Sequence, residues 1–272
     1  MNYLKTALNF YINSSIHVAL SVYAFMRITE LSFGLPYNEP LDYFAFYGTI
    51  TGYNFVKYAG VAKLHHRSLT KNLKLIQIFS FVSFVLFCFY TFQLPVKTIL
   101  VMLPFGVLTL LYAIPFLSGF QKNLRSVSYL KIIVVALVWS GVTVVLPVYD
   151  VGFENVSVTK VVLMMLQRFL FVVALILPFD IRDMKYDAIS LQTIPKRIGI
   201  ENTKKVGFVI LALCLFLEFL LASNSNFRTA FFLIFVLFSI TLMRASKEQS
   251  PYYSSFWVES IPIIWWFLLM IL

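Results

Sequence analysis

Acidic residues are scarce in this chain. Asp and Glu number 12 in 272 residues against 22 Lys and Arg, and none occurs between Asp42 and Asp150. Charge of either sign makes up 12% of the residues and apolar side chains 60%, whereas a soluble domain carries about 25% charge. Together with a mean hydropathy of +0.84, this excludes a soluble globular fold and reads as an all-α integral membrane protein. Cysteine is equally sparse. Cys88 and Cys214 both lie in apolar segments, which excludes a disulfide framework and a cysteine-based metal site. No low-complexity linker or fixed-period repeat divides the chain, so 1–272 reads as one domain. No Gly- or Pro-broken pair of helices recurs in matching halves, as a transporter would show. Nothing at the N-terminus reads as a cleaved signal. With this hydrophobicity the net charge of +10 reads as a topology signal and a site for an anionic substrate, not as nucleic-acid binding.

What is present is a series of apolar runs. A membrane-crossing helix needs about 20 mostly apolar residues. Runs bounded by charge, Pro or Asn fall at 11–29, 42–60, 73–93, 96–116, 129–149, 160–179, 204–222, 227–244 and 254–272, so about nine helices are expected. All but five of the 22 basic residues then sort to one side; the five are Arg27, Lys97, Lys160, Arg168 and Arg228. The positive-inside rule therefore predicts a cytoplasmic N-terminus and an outside C-terminus.

Acids concentrate after the sixth run, in Asp180-Ile-Arg-Asp183-Met-Lys-Tyr-Asp187. Carboxylates at i, i+3 and i+7 share one helix face and repel unless a cation sits among them. Mg²⁺ binds through one or two carboxylates plus substrate phosphates. The basic residues Arg182, Lys196 and Arg197 lie beside or shortly after the acids. Metal-holding acids beside phosphate-holding cations are what a diphosphate site requires. The bland reading is a solvated acidic helix end.

The run, followed by Thr193-Ile-Pro195-Lys-Arg197-Ile-Gly199, resembles the second aspartate-rich motif of the UbiA-type intramembrane prenyltransferases. Leu111-Tyr-Ala-Ile-Pro115, the basic residue Lys122 and Trp139-Ser-Gly141 resemble a second stretch of that family. The resemblance implies a UbiA-like ring of nine helices around a central cavity. It also implies Mg²⁺ held by Asp180, Asp183 and Asp187, an isoprenyl diphosphate donor and an apolar acceptor, aromatic or isoprenoid. The expected location is the plasma membrane, in contact with lipid, with the active site facing the cytoplasm. The alternatives are a related intramembrane terpene cyclase and a non-catalytic UbiA-fold protein that binds a lipid or protein partner.

The chain departs from the family at its first motif. Asn54 stands at the opening position, but Tyr58 and Ala62 stand where further carboxylates are expected. Lys57 lies on the face of Asn54. Asn54, Lys57 and Tyr58 are therefore the expected donor-binding residues on this side, with Arg182, Lys196 and Arg197 opposite. Deeper in the bundle, Arg168 and Glu218 fall at similar depth on consecutive helices, and an ion pair between them is expected, because an interior charge is costly unless paired. Glu259 and Gln167 are candidates to line the cavity. His17 reads as a satisfied interior residue, and His65-His66 as a solvated pair, since neighbours on a helix point apart.

Overall fold

The computed structural model describes residues 2–58, 71–114, 129–185, 193–221 and 224–272, and among these it is helical with no strand. Tyr186, Asp187, the two histidines of 65–66 and the basic loop residues around them lie outside the described residues. The helices are α1 Asn2–Asn13, α2 Ile16–Phe33, α3 Glu39–Tyr58, α4 Lys71–Thr91, α5 Val96–Ala113, α6 Leu130–Ser140, α7 Leu146–Val151, α8 Val158–Asp183, α9 Ile194–Ile198, α10 Ile200–Leu220, α11 Ser225–Arg244 and α12 Ile261–Ile271. A π-helical turn, Gly141–Val145, joins α6 to α7, and another, Tyr253–Val258, precedes α12.

Helical segments overlie all of the expected apolar runs, with one difference at the N-terminus. The run 11–29 is split, because the backbone turns left-handed at Ser15 (φ 65°) and separates α1 from α2. Among the described residues, six segments are long and apolar enough to cross a membrane: Leu73–Thr91, Val96–Ala113, Leu130–Val151, Val158–Asp183, Ser225–Arg244 and Tyr253–Ile271. The segments short of that measure are α2 and α3, which are less apolar, and α10, which carries Lys204, Lys205 and Glu218.

Successive helices pack side by side: α2 on α3, α3 on α4, α5 on α6, α6 on α8, α8 on α10, α10 on α11 and α11 on α12; α12 packs back on α2. The shared core is aromatic. Phe25, Phe171, Phe231 and Trp265 meet with centroids 4.9–6.2 Å apart, pairs each worth about 0.5–1.5 kcal/mol beyond their burial. Buried Arg168 stacks on this cluster, 4.0 Å from the Phe25 centroid and 5.6 Å from that of Trp265. It donates to the Phe25 carbonyl (2.9 Å) and to Thr29 Oγ1 (3.4 Å). Glu218 accepts instead from Gln167 Nε2 at 2.8 Å, while still attracting Arg168 electrostatically. Gln167 donates to Glu218 and to the Cys214 carbonyl.

The acids that border the acid-free stretch meet at one end of the bundle. Asp42 pairs with Arg27 (3.4 Å), which also binds Glu30, and Asp150 accepts from Asn38 (2.6 Å) and Thr98 (2.8 Å). Asp180 and Asp183 close α8 at the opposite end, the motif end.

Candidate active site

The motif acids owe their position to the length of α8. Its N-cap, Ser157, accepts from the Lys160 amide, and the helix runs 26 residues to Asp183. Pro178 interrupts its hydrogen bonding one turn before the end, and Gln249 of the α11–α12 connection donates to the Pro178 carbonyl at 2.9 Å. Asp180 is buried and pairs with Lys131 Nζ at 2.7 Å, from the first turn of α6. Asp183 is more open and accepts from Arg182 Nε at 2.8 Å. The guanidinium of Arg182 also lies 5.2 Å from the Phe179 ring centroid.

The Thr193–Gly199 element forms the short helix α9. Pro195 sits in its first turn, where a missing N–H costs nothing. Gly199 follows at φ 81°, a conformation that a side chain would strain, and so turns the chain into α10. Lys196 is half-buried, and Arg197 is exposed and donates to Tyr129 Oη at 2.6 Å. Tyr129 directly precedes α6, so α9 and the end of α8 both engage the start of the helix that carries Lys131.

Across the bundle, the C-terminal turn of α3 is bound to the Ser14–Ser15 break. Asn54 accepts from Ser15 Oγ (2.8 Å) and donates to the Ser14 carbonyl (3.0 Å) and Ser80 Oγ (2.8 Å). Lys57 Nζ donates to Ser15 Oγ at 2.9 Å, and Tyr58 Oη to the Asn13 carbonyl at 3.0 Å. A left-handed, non-glycine residue costs about 1–2 kcal/mol, and these bonds, which satisfy groups the broken helix leaves over, hold Ser15 there. One turn deeper, Tyr53 Oη accepts from Trp139 Nε1 at 3.1 Å. Two residues beyond Trp139, Gly141 packs so closely on Phe105 that a Cβ would overlap the ring.

Glu259 interacts electrostatically with both sides. It follows the π-helical turn, and α2 fixes its backbone. His17 Nε2 meets the Phe256 carbonyl at 2.9 Å and Ser260 Oγ at 3.1 Å, His17 Nδ1 meets Tyr11 Oη at 2.8 Å, and Ser21 donates to the Glu259 carbonyl. The Glu259 side chain is half-buried and within electrostatic reach of both Lys57 and Arg182. His17 is the satisfied interior residue expected.

Three solved structures share this architecture. One is a structure of digeranylgeranylglyceryl phosphate synthase, 15% identical over 100% of this chain and 98% of that one, with a TM-score of 0.57. The second is the apo form of a UbiA homolog from Aeropyrum pernix K1, 14% identical over 94% and 98%, with a TM-score of 0.65. The third is a UbiA homolog from Archaeoglobus fulgidus bound to GPP and Mg²⁺, 13% identical over 100% and 99%, with a TM-score of 0.54. The chain has the UbiA-type fold. No family model and no curated protein sequence matches it. With its apolar helices, the UbiA-type fold makes it an integral, multi-pass membrane protein.

A divalent ion fits one side of this UbiA-type bundle. Asp180 and Asp183 present carboxylates at i and i+3, and each now carries a cation, Lys131 or Arg182, where a metal would bring positive charge. The α3 side does not fit a second ion. Asn54 is committed to Ser14, Ser15 and Ser80, and Lys57 is itself positive. Among the described residues no group of three or more His, Cys, Asp or Glu gathers. Sequence reasoning missed Lys131, a cation at the edge of an apolar run and so one that needs a partner, and it missed the role of Ser15. A recess of about 590 Å³ also lies at the motif end, lined by Met184, Gly199, Glu201, Lys204, Ser246 and Lys247 among others.

Proposed function

We propose that this chain is a UbiA-like prenyltransferase that moves an isoprenyl group from a prenyl diphosphate to an apolar acceptor, aromatic or isoprenoid, within the membrane. The observation that carries the reading is the meeting of the α8 acids with Lys131 and Arg182, opposite Lys57, in a bundle of the UbiA-type fold. The neighbour order that brings α12 back onto α2 supports a ring of nine spans around a central cavity.

The donor's allylic C–O bond breaks, and its electron pair leaves with the diphosphate. Lys57, Arg182, Lys196 and Arg197 neutralise the charge that develops there. Asp180 and Asp183, with Asp187 as a third ligand, would hold Mg²⁺, which would supply Lewis-acid stabilisation of the leaving group. The tail lies among apolar side chains, and the faces of Tyr53 and Trp139 stabilise the allylic cation until the acceptor attacks it. Asn54 and Tyr58 serve by fixing the Ser15 break, whose hydroxyl accepts from Lys57. The basic residues at the motif end, including Lys185, Lys204, Lys205, Arg244 and Lys247, support a cytoplasm-facing site in the plasma membrane.

Purified protein is expected to release diphosphate from geranylgeranyl or farnesyl diphosphate in a Mg²⁺-dependent way. The double variant D180A/D183A is expected to lose at least about 100-fold of that rate, in the range attached to removing one charge-stabilising group. Release that survives the double substitution rejects the assignment. The second reading, a non-catalytic UbiA-fold binder, is favoured by the internal commitment of Asn54 and gains if donor binds without turnover.

A further inference from the structure

The 590 Å³ recess at the motif end has no part in the chemistry proposed above. Neither Asp180 nor Asp183 lines it. Its walls come from the end of α8, the α9–α10 joint, the first turn of α10 and the chain just after α11. One turn beyond Lys204 these three long helices pack tightly. Gly207 of α10 lies so near Leu242 of α11 and Leu177 of α8 that a Cβ would overlap both side chains.

The lining is basic. It contains two lysines, Lys204 and Lys247, and a single acid, Glu201. Half-buried Lys204 donates to Glu201 Oε1 at 3.0 Å, so the acid of the lining is already matched. Lys247 is exposed, and among the described residues no ion pair or hydrogen bond engages its ammonium group. The next acid along the chain, Glu248, accepts from Lys185 at 2.9 Å. Lys205 and Arg244, neighbours of the lining in sequence, are exposed cations as well.

Apolar stripes run up to this charge. On α10, Val206, Val209 and Leu213 are exposed; on α11, Val236, Ile240 and Met243 are exposed. Spacings of three and four residues place each set along one helix face. Lys204 stands at the motif end of the first stripe and Lys247 at the motif end of the second. Because α11 is long and apolar enough to cross a membrane, its stripe faces acyl chains and the recess lies level with their head groups. A basic hollow above two apolar tracks has the charge and polarity pattern of a phospholipid in reverse.

We infer that this recess binds the head of an anionic phospholipid, with its phosphate beside Lys204 and Lys247 and its acyl chains along the α10 and α11 stripes. Basic pockets between membrane helices take anionic head groups. A zwitterionic head brings a further cation to a place that already has a surplus of them, so the anionic class is preferred. The bound lipid fastens the α9–α10 joint to the chain after α11. It is a structural ligand and not a substrate, so the inference stands apart from the prenyl-diphosphate reading.

Native mass spectrometry of the full chain in detergent micelles, titrated with dioleoyl phosphatidylglycerol or dioleoyl phosphatidylcholine, tests this. The first phosphatidylglycerol is expected to bind at least about tenfold tighter than phosphatidylcholine, each nearby lysine contributing about fivefold. Equal binding of the two lipids overturns the inference without any variant. K204Q/K247Q is expected to shrink the preference to about twofold or less. K97Q/R228Q, which removes two cations at the other end of the bundle, is expected to keep it. A preference that survives K204Q/K247Q, or is lost equally in K97Q/R228Q, means that net charge and not the recess selects the lipid, and overturns the inference. Glycerol 1-phosphate, a head without chains, is expected to bind at least about tenfold more weakly than phosphatidylglycerol, because it leaves the stripes uncovered. Equal binding would make the site one for a soluble phosphate. Inorganic diphosphate with Mg²⁺ is expected to leave the lipid in place; its displacement would make the recess part of the diphosphate site and also overturn the inference.

Discussion

Arg168 shows how one residue reconciles a charge with an apolar interior. Its guanidinium lies flat on Phe25 and Trp265, donates to the Phe25 carbonyl, and feels Glu218 without a hydrogen bond between them. The sequence indicates the shared depth of Arg168 and Glu218, since a helix rises about 1.5 Å per residue. It does not indicate the route of the hydrogen bonds, because Gln167, the neighbour of Arg168, reaches Glu218. Removing one member of a buried charge pair costs about 3–5 kcal/mol, whereas replacing both by neutral groups of similar volume is often neutral. R168A is therefore expected to lower unfolding stability in detergent by about 3 kcal/mol or more, and R168M/E218Q by much less. Equal losses in the two variants, measured by chemical denaturation, would mean that the ring stacking and not the charge is what Arg168 contributes. Lys131 carries the same lesson. Its sequence neighbours mark it as a loop cation, and only the packing of α6 on α8 brings it to Asp180.

At the scale of elements, the motif end is organised by a helix break. Ser14 and Ser15 contain neither Gly nor Pro, so nothing local announces an interruption between α1 and α2. The break is imposed by α3, through Asn54, Lys57 and Tyr58. By contrast, Thr193–Gly199 is legible because its Pro and Gly each have one geometrically suitable place, and the acids are legible because helical spacing alone aligns Asp180 with Asp183. The π-helical turns before α7 and α12 have no sequence signature and come from packing on α2, α5 and α8. N54A removes hydrogen bonds to Ser15, to Ser80 of α4 and to the Ser14 carbonyl; it is expected to cost about 1–3 kcal/mol, seen as a lower thermal midpoint. An unchanged midpoint combined with lost donor binding would instead make Asn54 a direct ligand of the donor.

For the whole molecule, the proposed orientation follows from charge alone. Lys247 is exposed at the motif end, and Glu154 is exposed in the connection between α7 and α8 at the other. In intact cells, K247C is expected to be protected from a membrane-impermeant thiol reagent, and E154C to be labelled. Each would be made with both native cysteines replaced by serine. The reverse labelling pattern would place the motif end outside. The apolar runs foretell which segments form helices; the three with more polar interiors, α2, α3 and α10, are also those that carry much of the internal hydrogen bonding. The same polar side chains that lower their apparent fitness to cross a membrane are the ones other helices use to hold them.

Two helices stand apart from that interior. Only 11% of the apolar window of Leu73–Thr91 and 6% of that of Val96–Ala113 is buried inside the protein. Phe81, Phe84, Phe89, Leu100, Leu103 and Val107 all face outward. The outward faces of α4 and α5 are apolar and suit lipid acyl chains, whose length and order would then become part of their surroundings. The environment of this flank is therefore supplied by the membrane and not written in the chain, so the same sequence surrounded by shorter or more fluid lipids is, on this side, a physically different assembly.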